Sequence, residues 1–407
     1  MNQTIYHKAR WICPVTRPPI EGGVVAVKGD TIIGVGDKKD LKTGDEGPII
    51  DHGDVAILPA LVNAHTHLEL SLLENKTKTG VNFIYWLCSL LEERDKLDEE
   101  DFKAGILHGL KTSYENGTGL LADISATGLS VDYLQKVFIK SIVFVEALGF
   151  HSKTVPHYFE RLTTLFNRLK NYEQPHVGLA LHSPYTVLPE LFKRVQKLSL
   201  EGFPVLSIHI AESQEETEFL RGKGPIYDFL RERQFWNGNW VPPKKSPVQY
   251  LDGLGMLTPY TLCIHVVQIS NADIEVLAKR RTRICLCPCS NHKLTVGSPP
   301  AERLLRRGLQ VALGTDSLAS NDDLSILREM AAIKKIAPSI PPGEIVKMGT
   351  INGAVALDMG EQLGSIEKGK EGLLITIPVS SSSPGKLYEE IVCEGYHKKI
   401  QWINQDK

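Results

Sequence analysis

The chain is 407 residues long, more than one compact core usually spans, so a large domain with a smaller companion is expected. Apolar residues make up 42% and charged residues 23%, as in soluble globular proteins, and a net charge of −2 gives no electrostatic basis for binding nucleic acid or an anionic membrane. Residues 1–16 lack a signal-peptide core, no run approaches membrane-spanning length, and seven cysteines are too few for a disulfide framework, which together point to a cytoplasmic setting.

Residues 5–57 read as short strands separated by turns. Gly22-Gly23 precedes Val24-Val25-Ala26-Val27, and Gly29-Asp30 turns the chain into Thr31-Ile32-Ile33-Gly34-Val35. From Leu58 the pattern becomes apolar strand, loop and amphipathic helix, repeated. The first of these strands runs into His65 and His67. Others are expected at 118–124, with Asp123 near its end, at 141–147, with Glu146 near its end, and at 177–181, before His182. Four more follow at 204–208 before His209, 261–264 before His265, 283–287, and 310–314 before Thr315-Asp316. Helices are expected at 98–116, 155–170, 188–201 and 271–280. Eight strands alternating with helices predict an α/β fold, a parallel (β/α)8 barrel of the TIM type. The competing open sheet usually carries a G-x-G-x-x-G turn after an early strand, and none is present.

Residues 236–247, with Gly238, Pro242, Pro243 and Pro247, break any helix and read as a surface insertion or as a flap over the barrel mouth. Beyond residue 362 the short-strand pattern resumes and runs towards Lys407. The expected units are therefore 1–57, 58–362 and 363–407, the terminal two pairing into one small composite β-sandwich.

His65-Thr66-His67 organises this pattern. In an extended chain residues i and i+2 point to one side, so both imidazoles can share a divalent metal ion. His209 and Asp316 stand at other strand ends and complete a set of three nitrogens and one carboxylate, which suits Zn2+ and would accept Fe2+. Glu212 follows His209 by three residues, where its carboxylate can sit beside a metal-bound water. His265 could reach the same water from another strand end. Cys285, Cys287 and Cys289 alternate like soft ligands, but 283–288 reads as a buried strand, and packing accounts for them.

These residues resemble the amidohydrolase superfamily, in its deaminase and chlorohydrolase-like branch. The resemblance is carried by Val62-Asn63-Ala64-His65-Thr66-His67, His182-Ser183-Pro184-Tyr185-Thr186, His209-Ile210-Ala211-Glu212, Cys287-Pro288-x-Ser290-Asn291 and Leu313-Gly314-Thr315-Asp316-Ser317, with a closing Gly364-Ser365-Ile366-Glu367-x-Gly369-Lys370. It implies a barrel with a composite β domain, with His65, His67, His209 and Asp316 as metal ligands. It also implies that Glu212 is the proton shuttle and His265 the group that orients water. Trp86, His182, Asn291 and Ser317 fall where substrate contacts are expected. Members with two metals usually carry a bridging lysine or glutamate at the end of strand three or four; strand four has neither, and Glu146 is the one remaining candidate, so a single metal is expected. Cys289 stands where the family often has a basic residue.

The chemistry expected is attack by a metal-activated hydroxide on a ring carbon bearing an amino group. Asp316 accepts the water's proton, and Glu212 protonates a ring nitrogen and the departing amine. The stretch from Asn75 to Leu87 resembles enzymes that deaminate 6-aminodeoxyfutalosine on the way to menaquinone. Adenosine, methylthioadenosine and S-adenosylhomocysteine are the other substrates considered, with Glu92, Glu93 or Asp95 as candidates for the ribose hydroxyls. Hydrolysis of an amide, a carbamate or a ring chlorine is the alternative, and a catalytically inactive binding barrel a third reading. The partner expected is a small molecule, and a homodimer is compatible with the sequence.

Overall fold

The computed structural model describes residues 3–37, 41, 47–80, 82–149, 154–232 and 240–403. Eight parallel strands form one sheet whose spatial order is the chain order. Strands one to four are Leu61–Thr66, Thr118–Ser125, Lys140–Ala147 and His176–Leu181; strands five to eight are Leu206–Ile210, Thr261–His265, Arg283–Leu286 and Val311–Leu313. Alternation along each strand assigns the two faces. Val62, Ala64, Leu120, Ala122, Ile124, Phe144, Ile264 and Ala312 fill the inside, while Leu61, Leu121, Val143 and Val145 pack outward under the helices. Each Val, Leu, Ile or Phe side chain among them, fully buried, contributes about 1.5–3 kcal/mol. Cys285 and Cys287 are fully buried in this inner core, as their alternation in an apolar strand implies.

The ring closes where strand eight meets strand one. The backbone N–H groups of Thr315 and Asp316 both donate to the His65 carbonyl, each at 3.0 Å. Gly314 is required there, since a Cβ would lie 2.8 Å from both Cys285 Sγ and the His65 Cβ. The helix Glu99–Glu115 starts at a capping box of Asp98 and Asp101 and packs on the 3-10 turn Leu68–Leu73 that follows His67. Among the described residues, no helix is long and apolar enough to cross a membrane.

The two chain ends share sheets beside the barrel. A four-stranded sheet contains Thr31–Gly36, Val24–Lys28, Thr4–Lys8 and Ile49–Asp51 in that order. A five-stranded sheet brings Gln401–Ile403 and Leu374–Pro378 alongside Val55–Pro59, Trp11–Ile12 and Ile20–Glu21. Leu374–Pro378 is antiparallel to Val55–Pro59, so the C-terminal strand is held by the strand that leads into the barrel.

Two expectations need correction. Strand five does not stop before His209; it spans Leu206–Ile210, because pairing with Thr261–His265 carries its ladder to Ile210. The C-terminal segment is not all short strands either. It includes the helix Pro384–Glu394, with proline at its first position and Leu387, Ile391 and Val392 buried against Ile326–Ile336 and Pro342–Met348. Of the 236–247 stretch, residues 236–239 lie outside the described residues. Trp240 is buried and stacks on Phe219 with ring centres 4.7 Å apart, which ties this end down to the helix Gln214–Leu220.

Candidate active site

The carboxyl ends of the barrel strands bring His65, His67, His209 and Asp316 together. His65 Nε2 is 3.2 Å from His209 Nε2, and Asp316 Oδ1 is 3.6 Å from His65 Nε2 and 3.5 Å from His67 Nε2. Four ligands about 2.0–2.2 Å from a tetrahedral ion would stand roughly 3.3–3.6 Å apart. These three spacings fit a metal ion shared around His65, although His209 falls outside the close group that His65 makes with His67 and Asp316.

The protonation states support the same fit. His209 Nδ1 donates to the His182 carbonyl at 2.7 Å, so the lone pair of its neutral ring is on Nε2, facing the cluster. Burial holds His209 well below its ordinary pKa and lowers His67 to about 3, which keeps both rings neutral. Burial alone would raise Asp316, but the imidazoles around it, His65 first, hold its carboxyl well below the usual range. Its other oxygen, Oδ2, accepts from Ser290 Oγ at 2.7 Å and Ser320 Oγ at 2.6 Å, which leaves Oδ1 for the cluster.

His265 is also close, and with His65 and His209 it makes a second geometric triad. Its tautomer differs. Asn291 Nδ2 donates to His265 Nδ1 at 3.0 Å, so the ring proton is on Nε2, 3.5 Å from Glu212 Oε1. A protonated Nε2 donates rather than ligates, which separates His265 from His209. Glu212 is buried, and burial, reinforced by Asp316 and Glu216, pushes its carboxyl well above the ordinary range. It is thus an acid held with its proton beside the cluster.

Several of these positions lie on left-handed backbone: Ala211 at φ 53°, His265 at φ 72° and Asp316 at φ 59°. Such conformations cost about 1–3 kcal/mol each in residues other than glycine. Here local hydrogen bonds hold them. Val267 and Gln268 N–H donate to the Ala211 carbonyl at 2.9 and 2.7 Å. Glu216, buried, accepts from Ala211 N–H at 3.0 Å and from Glu212 N–H at 2.9 Å. Asn63 accepts from Thr315 N–H at 3.1 Å and donates to Thr315 Oγ1 at 2.8 Å, tying strand one to strand eight beneath the cluster. Asp123 accepts from Leu68 N–H at 2.9 Å and fixes the turn after His67. Motif spacing pointed to neither Glu216 nor the Ser320 hydroxyl and gave Ser290, though part of a quoted motif, no role of its own; these contacts arise from the tertiary fold.

A cavity of about 570 Å3 opens from the cluster. Trp86, His182 and Ser317 line it, together with His67, His209, Glu212, His265 and Asp316. Trp86 Nε1 donates to the Ala319 carbonyl at 3.2 Å, and His182 Nδ1 hydrogen-bonds the Thr186 hydroxyl at 2.7 Å. Asn291 is fully buried behind His265 and does not line the cavity. Cys289 does not line it either; its N–H donates to Glu329 Oε2 at 2.9 Å. None of the three acids considered for ribose is brought in: Glu93 pairs with Lys96 at 2.6 Å, and Glu92 and Asp95 are exposed. Residues 240–247 form no part of the wall. The helices Phe83–Arg94 and Pro225–Glu232 supply its apolar roof through Trp86, Leu87, Leu90, Phe229 and Leu230. Glu146 lines the cavity with its Oε1 unpartnered, burial pushing its pKa up to about 8, and forms a further close group with His182 and His209.

The Amidohydrolase family model matches residues 56–392. Over 394 residues the chain is 29% identical to a 5-methylthioadenosine/S-adenosylhomocysteine deaminase of Thermoanaerobacter pseudethanolicus, covering 93% of this chain and 86% of that one. It is 29% identical over 343 residues to an aminodeoxyfutalosine deaminase of Deinococcus radiodurans, covering 82% and 80% of the two chains. Among solved structures, Helicobacter pylori aminofutalosine deaminase in complex with methylthio-coformycin superposes with a TM-score of 0.84 at 25% identity, over 98% of this chain and 97% of that chain. The chain belongs to the amidohydrolase family and is a hydrolase acting on C–N bonds.

Proposed function

We propose that the chain is a metal-dependent deaminase of an adenine-type nucleoside, with 6-aminodeoxyfutalosine the favoured substrate. The observation that carries this reading is the buried carboxyl of Glu212, 3.5 Å from His265 Nε2, beside a cluster in which His65 Nε2 stands 3.2 Å from His209 Nε2 and 3.6 Å from Asp316 Oδ1. His65, His67, His209 and Asp316 would hold one divalent ion, Zn2+ or Fe2+, with zinc favoured by the nitrogen-rich set. Bound there, the ion would supply a Lewis acid that lets water give up a proton near neutral pH.

The chain's own residues do the rest. Asp316, ionised at neutral pH, takes the proton released by the water. His265 donates from Nε2 and keeps the attacking oxygen in line. Glu212 delivers its proton to a ring nitrogen, the proton held on Asp316 passes to the leaving amine, which departs as ammonia, and the proton of the added hydroxyl returns to Glu212 as the ring carbonyl forms. His182 and Trp86 flank the nucleoside, and Ser317 lies at the wall next to Asp316.

The similarity to deaminases of methylthioadenosine, S-adenosylhomocysteine and aminodeoxyfutalosine supports this substrate class, and the last would place the reaction in menaquinone biosynthesis. Hydrolysis of an amide, a carbamate or a ring chlorine would use the same groups. Ammonia release across a panel of purine nucleosides and bases separates the two. Release from adenine nucleosides is expected; ammonia from none of the panel would overturn the reading.

A further inference from the structure

We infer that Glu329 is a positioning residue of this site, fixing the short helix and the loop from which Asp316 and His265 receive their outer hydrogen bonds. The inference rests on the roles given above to Asp316 and His265 and deepens that reading.

The outer partners of both residues lie on one helix. Pro288–Lys293 follows strand seven and carries Ser290, whose hydroxyl donates to Asp316 Oδ2, and Asn291, whose amide donates to His265 Nδ1. Consecutive residues of a helix point about 100° apart, so one helix serves both atoms only in a single setting of its axis. Ser320, on the loop after strand eight, gives Asp316 Oδ2 its second donor. A six-residue helix closes few hydrogen bonds of its own and does not hold such a setting unaided.

Glu329 supplies the missing hold. It stands in the first turn of Ile326–Ile336, which packs on Pro288–Lys293, and it is fully buried. Its Oε2 accepts from Cys289 N–H at 2.9 Å, one residue before Ser290. Its Oε1 accepts from Asn321 Nδ2 at 2.8 Å, one residue after Ser320. The same Asn321 amide donates to the Thr315 carbonyl at 2.7 Å, next to Asp316. One carboxylate thus joins the helix that serves both groups to the loop that carries Asp316. Lys293 makes the same junction from the other end of the helix, donating to the Asn321 carbonyl at 2.8 Å and pairing with Asp322 at 2.8 Å.

The acid is not kept for an ion pair. Among the described residues no Lys or Arg pairs with Glu329, and burial pushes its pKa up to about 8. A carboxyl buried without a cation is a costly way to fill space, and an apolar side chain of similar volume would pack there at less cost. None of Glu329, Cys289, Ser290, Asn291 and Asn321 lines the cavity. Glu329 therefore acts on the cluster through these partners, with no contact to substrate.

The test is a replacement cycle read in two quantities: zinc affinity, by competition with a chromophoric chelator, and kcat against KM for ammonia release. Glu329→Gln turns an NH2 group against one of the two donors. Loss of such an outer contact corresponds to roughly 10–100-fold in metal affinity or activity. The variant should bind zinc roughly tenfold or more weakly, and at saturating zinc its kcat should fall by a similar factor with KM within about twofold. In the Ser290→Ala/Asn291→Ala background the same replacement should cost less than about threefold, because the contacts it supports are already gone. A merely structural acid would cost as much in either background. That result, or wild-type zinc affinity and kcat in Glu329→Gln, would overturn the inference. If Glu329→Gln does not fold, Glu329→Asp, which keeps the charge but is too short to reach both donors, runs the same cycle with the same two outcomes. If the wild type releases ammonia from no nucleoside, the deaminase reading fails instead, and the zinc affinities across the cycle still decide the role of Glu329.

Discussion

Glu216 offers a prediction that separates positioning from chemistry. Its two carboxylate oxygens accept the N–H groups of Ala211 and Glu212, at 3.0 and 2.9 Å, and so hold the left-handed bend that aims Glu212 at the cluster. Glu216→Gln keeps the shape but has one acceptor oxygen, so its amide NH2 must face one of the two backbone donors. Losing a hydrogen bond to a charged group costs about 1.5–3 kcal/mol, and a buried N–H left unpaired adds about 1–3 kcal/mol. Part of this is offset, because burial already disfavours the carboxylate and pushes its pKa up to about 7, a burden the neutral amide lacks. The net loss should be about 2 kcal/mol in urea unfolding. That cost is small enough to leave a folded protein with its metal cluster intact, since Glu216 bonds none of the proposed ligands. A displacement of Glu212 by about 1 Å should nonetheless lower turnover roughly 10²-fold. Elemental analysis, unfolding and steady-state ammonia release on one preparation check all three quantities. Turnover within about twofold of wild type, or loss of metal, would refute the positioning argument.

Other outcomes follow from the same geometry. His67→Ala should remove a metal that elemental analysis finds at about one equivalent in the wild type; two equivalents, with Glu146 bridging, would contradict a single-ion site. Glu212→Gln should retain the metal while turnover falls by roughly 10²-fold or more, and metal loss in that variant would make Glu212 a ligand. Far from the site, Glu390 would be raised by burial alone, yet Lys398, the Ser381 hydroxyl and the N–H groups of Ser380 and Ser381 hold it at about 2, against 4.5 in an unfolded chain. Its contribution of about 3 kcal/mol should be fully present above pH 4.5 and vanish as the pH falls towards 2. Urea unfolding of wild type and Glu390→Gln should therefore differ at neutral pH and converge near the acid limit; a difference independent of pH would mean that charge is not responsible.

The barrel and the gathering of His65, His67, His209 and Asp316 at its mouth were legible in the sequence because both rest on local periodicity. Strand alternation places His65 and His67 on one side, and reactive residues at successive strand ends announce a barrel mouth. What escaped the sequence depends on contacts between distant segments. Glu216 reads as one more acid in a helix, and only the fold shows that both its oxygens are taken by the backbone of Ala211 and Glu212. Arg94 sits beside the acids first considered for the sugar, and one turn of helix geometry decides that it, and not Glu93 or Asp95, faces the cavity. The extension of strand five to Ile210 follows from pairing with strand six, which no single-strand pattern contains. The helix Pro384–Glu394 did carry a local signal, a proline at its first position with Leu387 and Ile391 four apart, but neighbouring short strands masked it.

The central claim is that a nucleoside, and not a bare ring, is deaminated at this cluster. It is tested most directly by kcat/KM for an adenine nucleoside against its free base on the metal-replete enzyme. A bare ring leaves the apolar stretch of the cavity beyond the cluster unfilled, so the nucleoside should be favoured by roughly 10-fold or more. Equal values for the two, or activity confined to guanine or cytosine, would contradict it.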